Sequence, residues 1–279
     1  MQSNMPEESL LSRKYIDLDK SISELDHGLL KKLPGFVIGI LKRIIYQNEV
    51  NTILNKIGHF EGLEFLQNLL LEFNITIDVE GLENLPKKKK CFFVANHPFG
   101  FADGLVIANI VAGKYGTFKA IANNTFMYVP QLHPFIAAID VFEGSTKEGL
   151  RALELIYSQD LAITHFPAGI VSRKINGKIE DYEWQKSFIK KAIVYERDVV
   201  PIFFHGKNSN LFYNIFRIRS FFHIKTNLEL MLLPSELFSK KGSTIKVTIG
   251  KPISYKLFDK SKTHYDWAQW VKSKVYELV

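Results

Sequence analysis

Apolar residues fall along this chain in two rhythms. Between residues 34 and 73 they recur at helical steps. Phe36, Ile40 and Ile44 make one row, Val37, Leu41 and Ile45 lie beside it, and residues 62–73 (GLEFLQNLLLEF) repeat the habit. That spacing gives a helix one apolar face. Ser21 and Glu24 form a candidate capping box, and Pro34 suits the first turn of the next helix. From residue 75 the rhythm changes. Ile75-Thr76-Ile77-Asp78-Val79 alternates as a strand does. Short apolar runs at 91–95, 117–122, 135–139, 161–166, 199–204 and 246–249 also predict strands. Between them, 103–111, 146–157, 184–196, 211–216 and the segment from 265 onward read as helices. The alternation predicts an α/β domain with a mostly parallel central sheet. The simplest division is an N-terminal helical region, 1–74, and one catalytic domain, 75–279.

The apolar stretch at 33–46 is shorter than the roughly 20 residues of a membrane span, and Lys42 and Arg43 interrupt it. Two readings stand. It lies in a membrane interface with Lys31, Lys32, Lys42 and Arg43 toward headgroups, or it packs on the domain as an ordinary amphipathic helix. The first residues lack the basic start and apolar block of a secretory signal.

Charge narrows the partners. The formal net charge is +7, which favours an anionic lipid, an acidic protein or a nucleic acid. Zinc-finger spacing and RNP motifs are absent, so no nucleic acid is expected. Aromatics make up 13% of the chain, enough for an apolar cleft or membrane-facing surface as well as a core. Lys87 to Lys90 form a run just before the 91–95 strand, either a solvated turn or a source of positive potential at one end of the sheet. Cys91 is the only cysteine. It permits no intrachain disulfide, reads as a small buried hydrophobe and fits a reducing cytoplasm.

The candidate chemistry begins at Cys91 to Leu105, CFFVANHPFGFADGL. His97 and Asp103 flank a turn directly after a buried strand, where open α/β sheets keep their sites. An imidazole takes a proton from a hydroxyl near neutral pH, and a carboxylate on its other nitrogen fixes the tautomer. No serine or cysteine nucleophile adjoins them, which favours direct attack by a substrate hydroxyl. The plain alternative is a histidine and an aspartate that cap the next helix. A second turn runs from His165 to Arg173, whose amides and guanidinium suit a phosphate or carboxylate; as an ordinary turn it would carry a surface arginine. A third runs from Val199 to Ser209. Three such turns suggest one shared face of one sheet, with His165 and His205 as alternative histidines. No HExxH spacing or compact His/carboxylate cluster appears, so no metal is expected.

Four blocks, in order, resemble a known family. Asn96-His97-Pro98 with Asp103, then Phe166-Pro167-x-Gly169, then Val200-Pro201-Ile202 resemble the glycerolipid acyltransferases of the lysophosphatidate acyltransferase type. NHPFGFADG, FPAGIVSR, Trp184 to Ala192 and HGKNSNLFY are more similar to a bacterial hemolysin-like branch, which includes the O-acyltransferases of ornithine- and glycine-lipid synthesis. The resemblance covers roughly 75 to 255 and implies a glycerol-3-phosphate acyltransferase-like fold. It implies that His97 is the general base, that Asp103 orients it, and that the acceptor hydroxyl attacks an acyl thioester of coenzyme A or acyl carrier protein. The implied substrate contacts are Asn96, Phe99, Gly100, Phe166, Pro167, Gly169, Ser172, Arg173, Lys207 and Asn208, and the strand ending at Pro201 supports the cleft. No cofactor or metal is implied. The acceptor is a membrane lipid, an acidic carrier protein suits the basic chain, and the expected place is the cytoplasmic face of the inner membrane, held peripherally.

Two departures sharpen this. Five residues separate His97 and Asp103 where the wider family has four, a feature of the hemolysin-like branch. Ala168 replaces the glutamate of the common FPEG block, which argues against a simple glycerol-phosphate acceptor and leaves Arg173 as the headgroup ligand. The expected acceptor is a lyso-aminolipid of the ornithine or glycine type, or a lysophospholipid. Asp140 lacks the arginine that often follows it, and Arg151 on the next helix is the substitute. Two other functions remain open. A non-catalytic lipid-binding protein on this fold would bind lipid without turnover, and gains ground if His97 and Asp103 point apart. A lipid ester hydrolase would use His97 and a water.

Overall fold

The computed structural model describes residues 13–23, 34–139, 147–224 and 227–279. Glu24, Lys31, Lys32 and Leu33, and Asp140, Val141 and Phe142, lie outside the described residues. Among the described residues, four helices come first: α1 (Leu18–Ser23), α2 (Gly35–Ile44), α3 (Gln47–Ile57) and α4 (Gly62–Glu72). Then follow β1 (Thr76–Glu80), β2 (Cys91–Ala95), α5 (Phe101–Tyr115), β3 (Phe118–Asn123), β4 (Ile136–Ile139), α6 (Lys147–Ser158) and β5 (Ala162–His165). A hairpin of β6 (Arg173–Ile175) and β7 (Lys178–Glu180) precedes α7 (Ser187–Tyr195) and β8 (Asp198–Phe204). The chain closes with α8 (Asn210–Phe221), α9 (Leu233–Phe238), β9 (Thr244–Ile249) and α10 (His264–Tyr276).

Among the described residues, seven strands form one sheet in the order β1-β9-β8-β2-β5-β3-β4. β8, β2, β5, β3 and β4 run parallel, and β9 pairs antiparallel with β8. The expected mostly parallel α/β sheet is therefore present. β2 is central, and all five of its residues are buried. Its side chains divide by the strand period: Cys91, Phe93 and Ala95 enter the core under α5, while Phe92 and Val94 enter the core under α7 and α10. A strand covered on both faces must be apolar at every position, which is why 91–95 reads as an unbroken run. Each fully buried phenyl contributes about 1.5–3 kcal/mol.

Pro201 stands in β8, inside the sheet, where a missing N–H normally breaks a ladder. Its carbonyl accepts from Gly250 N–H at 2.8 Å, so this residue faces the β9 side. There the ladder is already interrupted between Ile249 and the isolated bridge at Ile253. The pairing with β2 is untouched.

The helical row from Pro34 breaks at Tyr46, which takes a left-handed φ of 53°. The turn stacks the Tyr46 ring on Phe238 at 4.3 Å and separates α2 from α3. Leu54, Ile57, Phe65 and Leu66 of α3 and α4 then share the core with Phe93. By contrast, α2 buries none of its residues. No helix among the described residues is long and apolar enough to cross a membrane. The Lys87 to Lys90 run stands at the amino end of β2, the end opposite the candidate chemistry. The Cys91 thiol is buried, and burial pushes its pKa up to about 12, so it behaves as a small hydrophobe.

Candidate active site

β2, β5 and β8 are neighbours, so the turns after their carboxyl ends meet. The His97 ring stacks on the Phe166 ring at 4.0 Å, with 20° between planes. The Asn96 amide bonds both backbone groups of Phe204, accepting from N–H at 2.7 Å and donating to C=O at 3.0 Å. These contacts join all three turns.

The turn after β2 builds the pair. Gly100 takes a φ of 85°, open to glycine, and lets α5 start at Phe101. A Cβ at Gly100 would lie 2.8 Å from a Leu233 methyl. Asp103 is then the third residue of the helix, fully buried, at the end where the macrodipole favours an anion. Its Oδ2 accepts the amides of Phe99 at 2.8 Å and Gly100 at 2.9 Å. The same oxygen lies 2.9 Å from Nδ1 of His97. Burial raises the Asp103 pKa, while the His97 bond and the two amides pull it back.

The hydrogen-bond pattern settles the tautomer. An oxygen that accepts two amides is a lone-pair acceptor, so the proton between it and His97 belongs to Nδ1. Nε2 then carries the free lone pair. The His97 side chain is 17% exposed, within reach of a substrate. His97 and Asp103 do not point apart, so the lipid-binding alternative gains nothing from them, and the helix-cap reading is only half the picture. Asp103 does bind the N-terminal amides of α5, but with the oxygen that also holds the imidazole.

The other expected contacts fall into different settings. Phe99 and Gly100 give their amides to Asp103, and Gly206 packs on the Phe99 ring so closely that a Cβ there would lie 2.2 Å from it. Phe166 and Gly169 close a turn by a 2.9 Å amide bond, and the Pro167 carbonyl accepts from Gln185 N–H at 3.0 Å. Ser172 is buried, and its hydroxyl donates to Asp181. Lys207 is exposed, and Lys240 Nζ donates to its carbonyl at 3.1 Å while standing 4.8 Å from the centre of the Phe99 ring. Asn208 is buried, and both polar atoms of its amide lack a hydrogen-bond partner among the described residues.

Arg173 is not a surface arginine. It is fully buried, donates to Glu229 at 2.8 Å and lies over the rings of Phe212 and Phe216. Arg219 binds the other oxygen of Glu229 at 2.5 Å. Burial pushes the Glu229 carboxyl up, yet the bond from Arg219 and the charge of Arg173 hold it below its ordinary value. Most of the Arg173 fork is thus committed to the protein; its Nε is buried without a partner among the described residues. Arg151 is exposed on α6. Of the alternative histidines, His205 has Nε2 2.8 Å from the Thr248 hydroxyl, and His165 is packed near Phe188 with its Nδ1 unbonded. Neither has a carboxylate on its ring among the described contacts. Glu229, Arg219, Asp181 and Lys240 escaped the sequence reading, because isolated charges in a basic chain carry no pattern that marks them as buried.

A lyso-glycine lipid O-acyltransferase of Bacteroides thetaiotaomicron is 38% identical over 264 residues, covering 94% of this chain and 97% of its own. One from Phocaeicola vulgatus is 37% identical over 264 residues, covering 94% and 95%. The crystal structure of the 1-acyl-sn-glycerophosphate (LPA) acyltransferase PlsC from Thermotoga maritima aligns with a TM-score of 0.46 at 18% identity, over 86% of this chain and 96% of its own. Residues 20–279 match the family described as Acyltransferase, and the chain belongs to that acyltransferase family.

Proposed function

We propose that this enzyme moves a fatty acyl group from an acyl thioester to the hydroxyl of a lysolipid, with a lyso-glycine lipid as the acceptor. The observation that carries the mechanism is the His97–Asp103 bond, which leaves Nε2 of His97 as a base beside a partly open turn. Among the described residues, no serine or cysteine side chain bonds the His97 ring. His97 Nε2 therefore takes the proton of the acceptor hydroxyl as its oxygen attacks the thioester carbonyl. The C–O bond forms, a tetrahedral intermediate collapses, the C–S bond breaks, and the leaving thiolate regains the proton from His97. Asp103 stabilises the imidazolium in between. The curated relatives support the choice of acceptor. The donor is acyl-coenzyme A or acyl carrier protein; the formal charge of +7 suits the acidic carrier. No step of this reaction calls for a metal or a redox cofactor.

A membrane surface completes the reading. On α2, Phe36 is 71% exposed and Ile40 50% exposed, in one row with Ile44. Ile44 packs on the cluster of Val171, Phe212, Tyr213, Leu232 and Leu233, which borders the Gly100 turn. α8 starts in the same cluster, and its far end carries Ile218, Phe221 and the following Phe222, all exposed, with Arg217 exposed beside them. Apolar tips with basic neighbours suit an anionic, cytoplasmic leaflet that presents the lysolipid.

The test is thiol release from acyl-coenzyme A and from acyl carrier protein with lyso-glycine lipid and lysophospholipid acceptors. His97→Ala should lose on the order of 10²–10⁴-fold in kcat. Equal turnover by His97→Ala would sink the mechanism. Free fatty acid released from a diacylated lipid without any thioester would favour the hydrolase reading instead.

A further inference from the structure

The His97 ring is oriented by Asp103, but its backbone is held by a second carboxylate. Asp181 lies just beyond β7, buried, in the segment that leads from the hairpin to α7. Its Oδ1 accepts the His97 amide at 3.2 Å and the Ser172 hydroxyl at 2.5 Å. Ser172 in turn donates its own amide to the His97 carbonyl at 2.8 Å. Both backbone polar groups of His97 are therefore bound by one Ser172–Asp181 unit. That unit is itself fixed. Trp184 Nε1 donates to Asp181 Oδ2 at 2.9 Å, and the Asp181 amide donates to the Tyr276 hydroxyl at 2.7 Å. Lys272 Nζ donates to the Asp181 carbonyl at 2.6 Å.

A buried carboxylate is costly unless its charge does something. A neutral asparagine would not serve the same three donors, because its NH2 would meet the Trp184 N–H or the Ser172 and His97 donors. Burial raises the Asp181 pKa, while the Ser172, Trp184 and His97 donors pull it back, so a carboxylate that accepts three donors sits close to the imidazole that gains charge in the proposed reaction. Asp103 holds the ring nitrogen and Asp181 the peptide, so the two carboxylates reach His97 from its two ends.

We infer that Asp181 is a positioning residue for His97, fixing the peptide from which the ring projects and adding a second negative charge that favours the imidazolium. This rests on the general-base reading above. The charged and titratable groups around the unit are Asp103 and His97 on the turn side, Lys272 and Tyr276 from α10, and Glu180 next in the chain. Lys272 touches the carbonyl of Asp181 and not its carboxylate, so it leaves the charge unneutralised at contact distance.

The experiment compares Asp181→Asn, Asp181→Glu and Ser172→Ala with wild type in the full chain, each checked for folding by thermal melting. Asp181→Asn keeps an oxygen for the amide and hydroxyl but removes the charge and turns an NH2 toward the Trp184 N–H, a loss that Asp181→Glu and the His97 titration separate from the charge. It should lower kcat on the order of 10–100-fold with KM little changed, because a displaced or less basic His97 affects the reacting step more than binding. The acid limb of its pH–rate profile should move to lower pH. Ser172→Ala keeps the charge, so it should lower kcat by less and leave the limb in place. Asp181→Glu should restore the limb without restoring full kcat. A wild-type kcat and unmoved limb in Asp181→Asn would overturn the inference. If Asp181→Asn does not fold, a wild-type kcat in Ser172→Ala overturns it. NMR titration of the His97 imidazole keeps the inference separate from the proposed reaction, since it needs no turnover. The ring should protonate at lower pH in Asp181→Asn than in wild type even if no acceptor is found, and coincident titrations overturn the role of the charge.

Discussion

Nδ1 of His97 and Oδ2 of Asp103 are 2.9 Å apart, and that oxygen also holds the amides of Phe99 and Gly100. One atom thus starts α5 and fixes the imidazole, so helix register and base orientation cannot vary independently. Asp103→Asn should keep the fold, but only one orientation of its amide serves the three donors on Oδ2. If the amide oxygen stays with the Phe99 and Gly100 amides, it still accepts from Nδ1, yet the anion that stabilises the imidazolium is gone. If the amide flips, it donates to Nδ1 and puts the proton on Nε2. Either way kcat should fall on the order of 10²–10⁴-fold, with KM changed far less. Steady-state kinetics on the folded variant checks this, and turnover within twofold of wild type would remove Asp103 from the mechanism.

Much of this arrangement was legible because the physics that makes it also leaves a pattern. β2 is covered on both faces, so its run is uniformly apolar and its five residues match the expected strand at both ends. The His97 turn was visible because a polar Asn-His-Pro follows directly. Other features left weaker traces. The break at Tyr46 was missed because the apolar row passes straight through it, and only the long-range stack on Phe238 explains it. The β6–β7 hairpin carried an Asn176-Gly177 turn, both with positive φ, but its flanks Arg173, Lys174, Lys178 and Glu180 show no apolar alternation. The short α9 sits among apolar residues that fit no single period. Arg173 was expected to face a headgroup; its partner Glu229 is 56 residues away, and no local spacing announces such a pair.

His165 supplies a pH prediction for stability. It ends β5 and packs near Phe188, and burial pulls its pKa down from 6.5 to about 4. Its folded pKa is below its unfolded one, so protonation favours the unfolded chain. The stability tied to the neutral ring is complete above the unfolded value. It begins to fall as the pH drops below about 6.5 and is gone once the pH has passed through about 4. The full loss amounts to about 3 kcal/mol. His165→Leu removes the titrating group while filling similar space, so it should flatten this part of the acid profile. Urea midpoints at pH 7, 5 and 4 for both proteins measure it, and parallel profiles would show that His165 does not contribute.

The surface proposed to meet the membrane gives the last prediction. Phe221 is 76% exposed and Phe222 66% exposed, on a helix whose other end is anchored by the buried Phe212 and Tyr213. A folded domain gains nothing in water by holding two phenyl rings out on a fixed helix end. In a bilayer interface the same rings lose their contact with water, and Arg217 beside them meets anionic headgroups. The Ile44 contact ties α2, which carries the exposed Phe36 and Ile40, to the same cluster. Substituting Phe221→Ser with Phe222→Ser should weaken partition into phosphatidylglycerol-containing vesicles by on the order of tenfold or more, since each ring buried in full contributes about 1.5–3 kcal/mol. Salt should weaken wild-type binding further, because the arginine contribution is screened. Turnover on a short-chain, water-soluble acceptor should stay at the wild-type rate, as neither phenyl touches the dyad turn. Vesicle cosedimentation at two salt concentrations, alongside that turnover assay, decides it. Undiminished partition of the double variant would place the membrane contact elsewhere, whereas loss of soluble turnover together with partition would mean that the end of α8 supports the fold of the site.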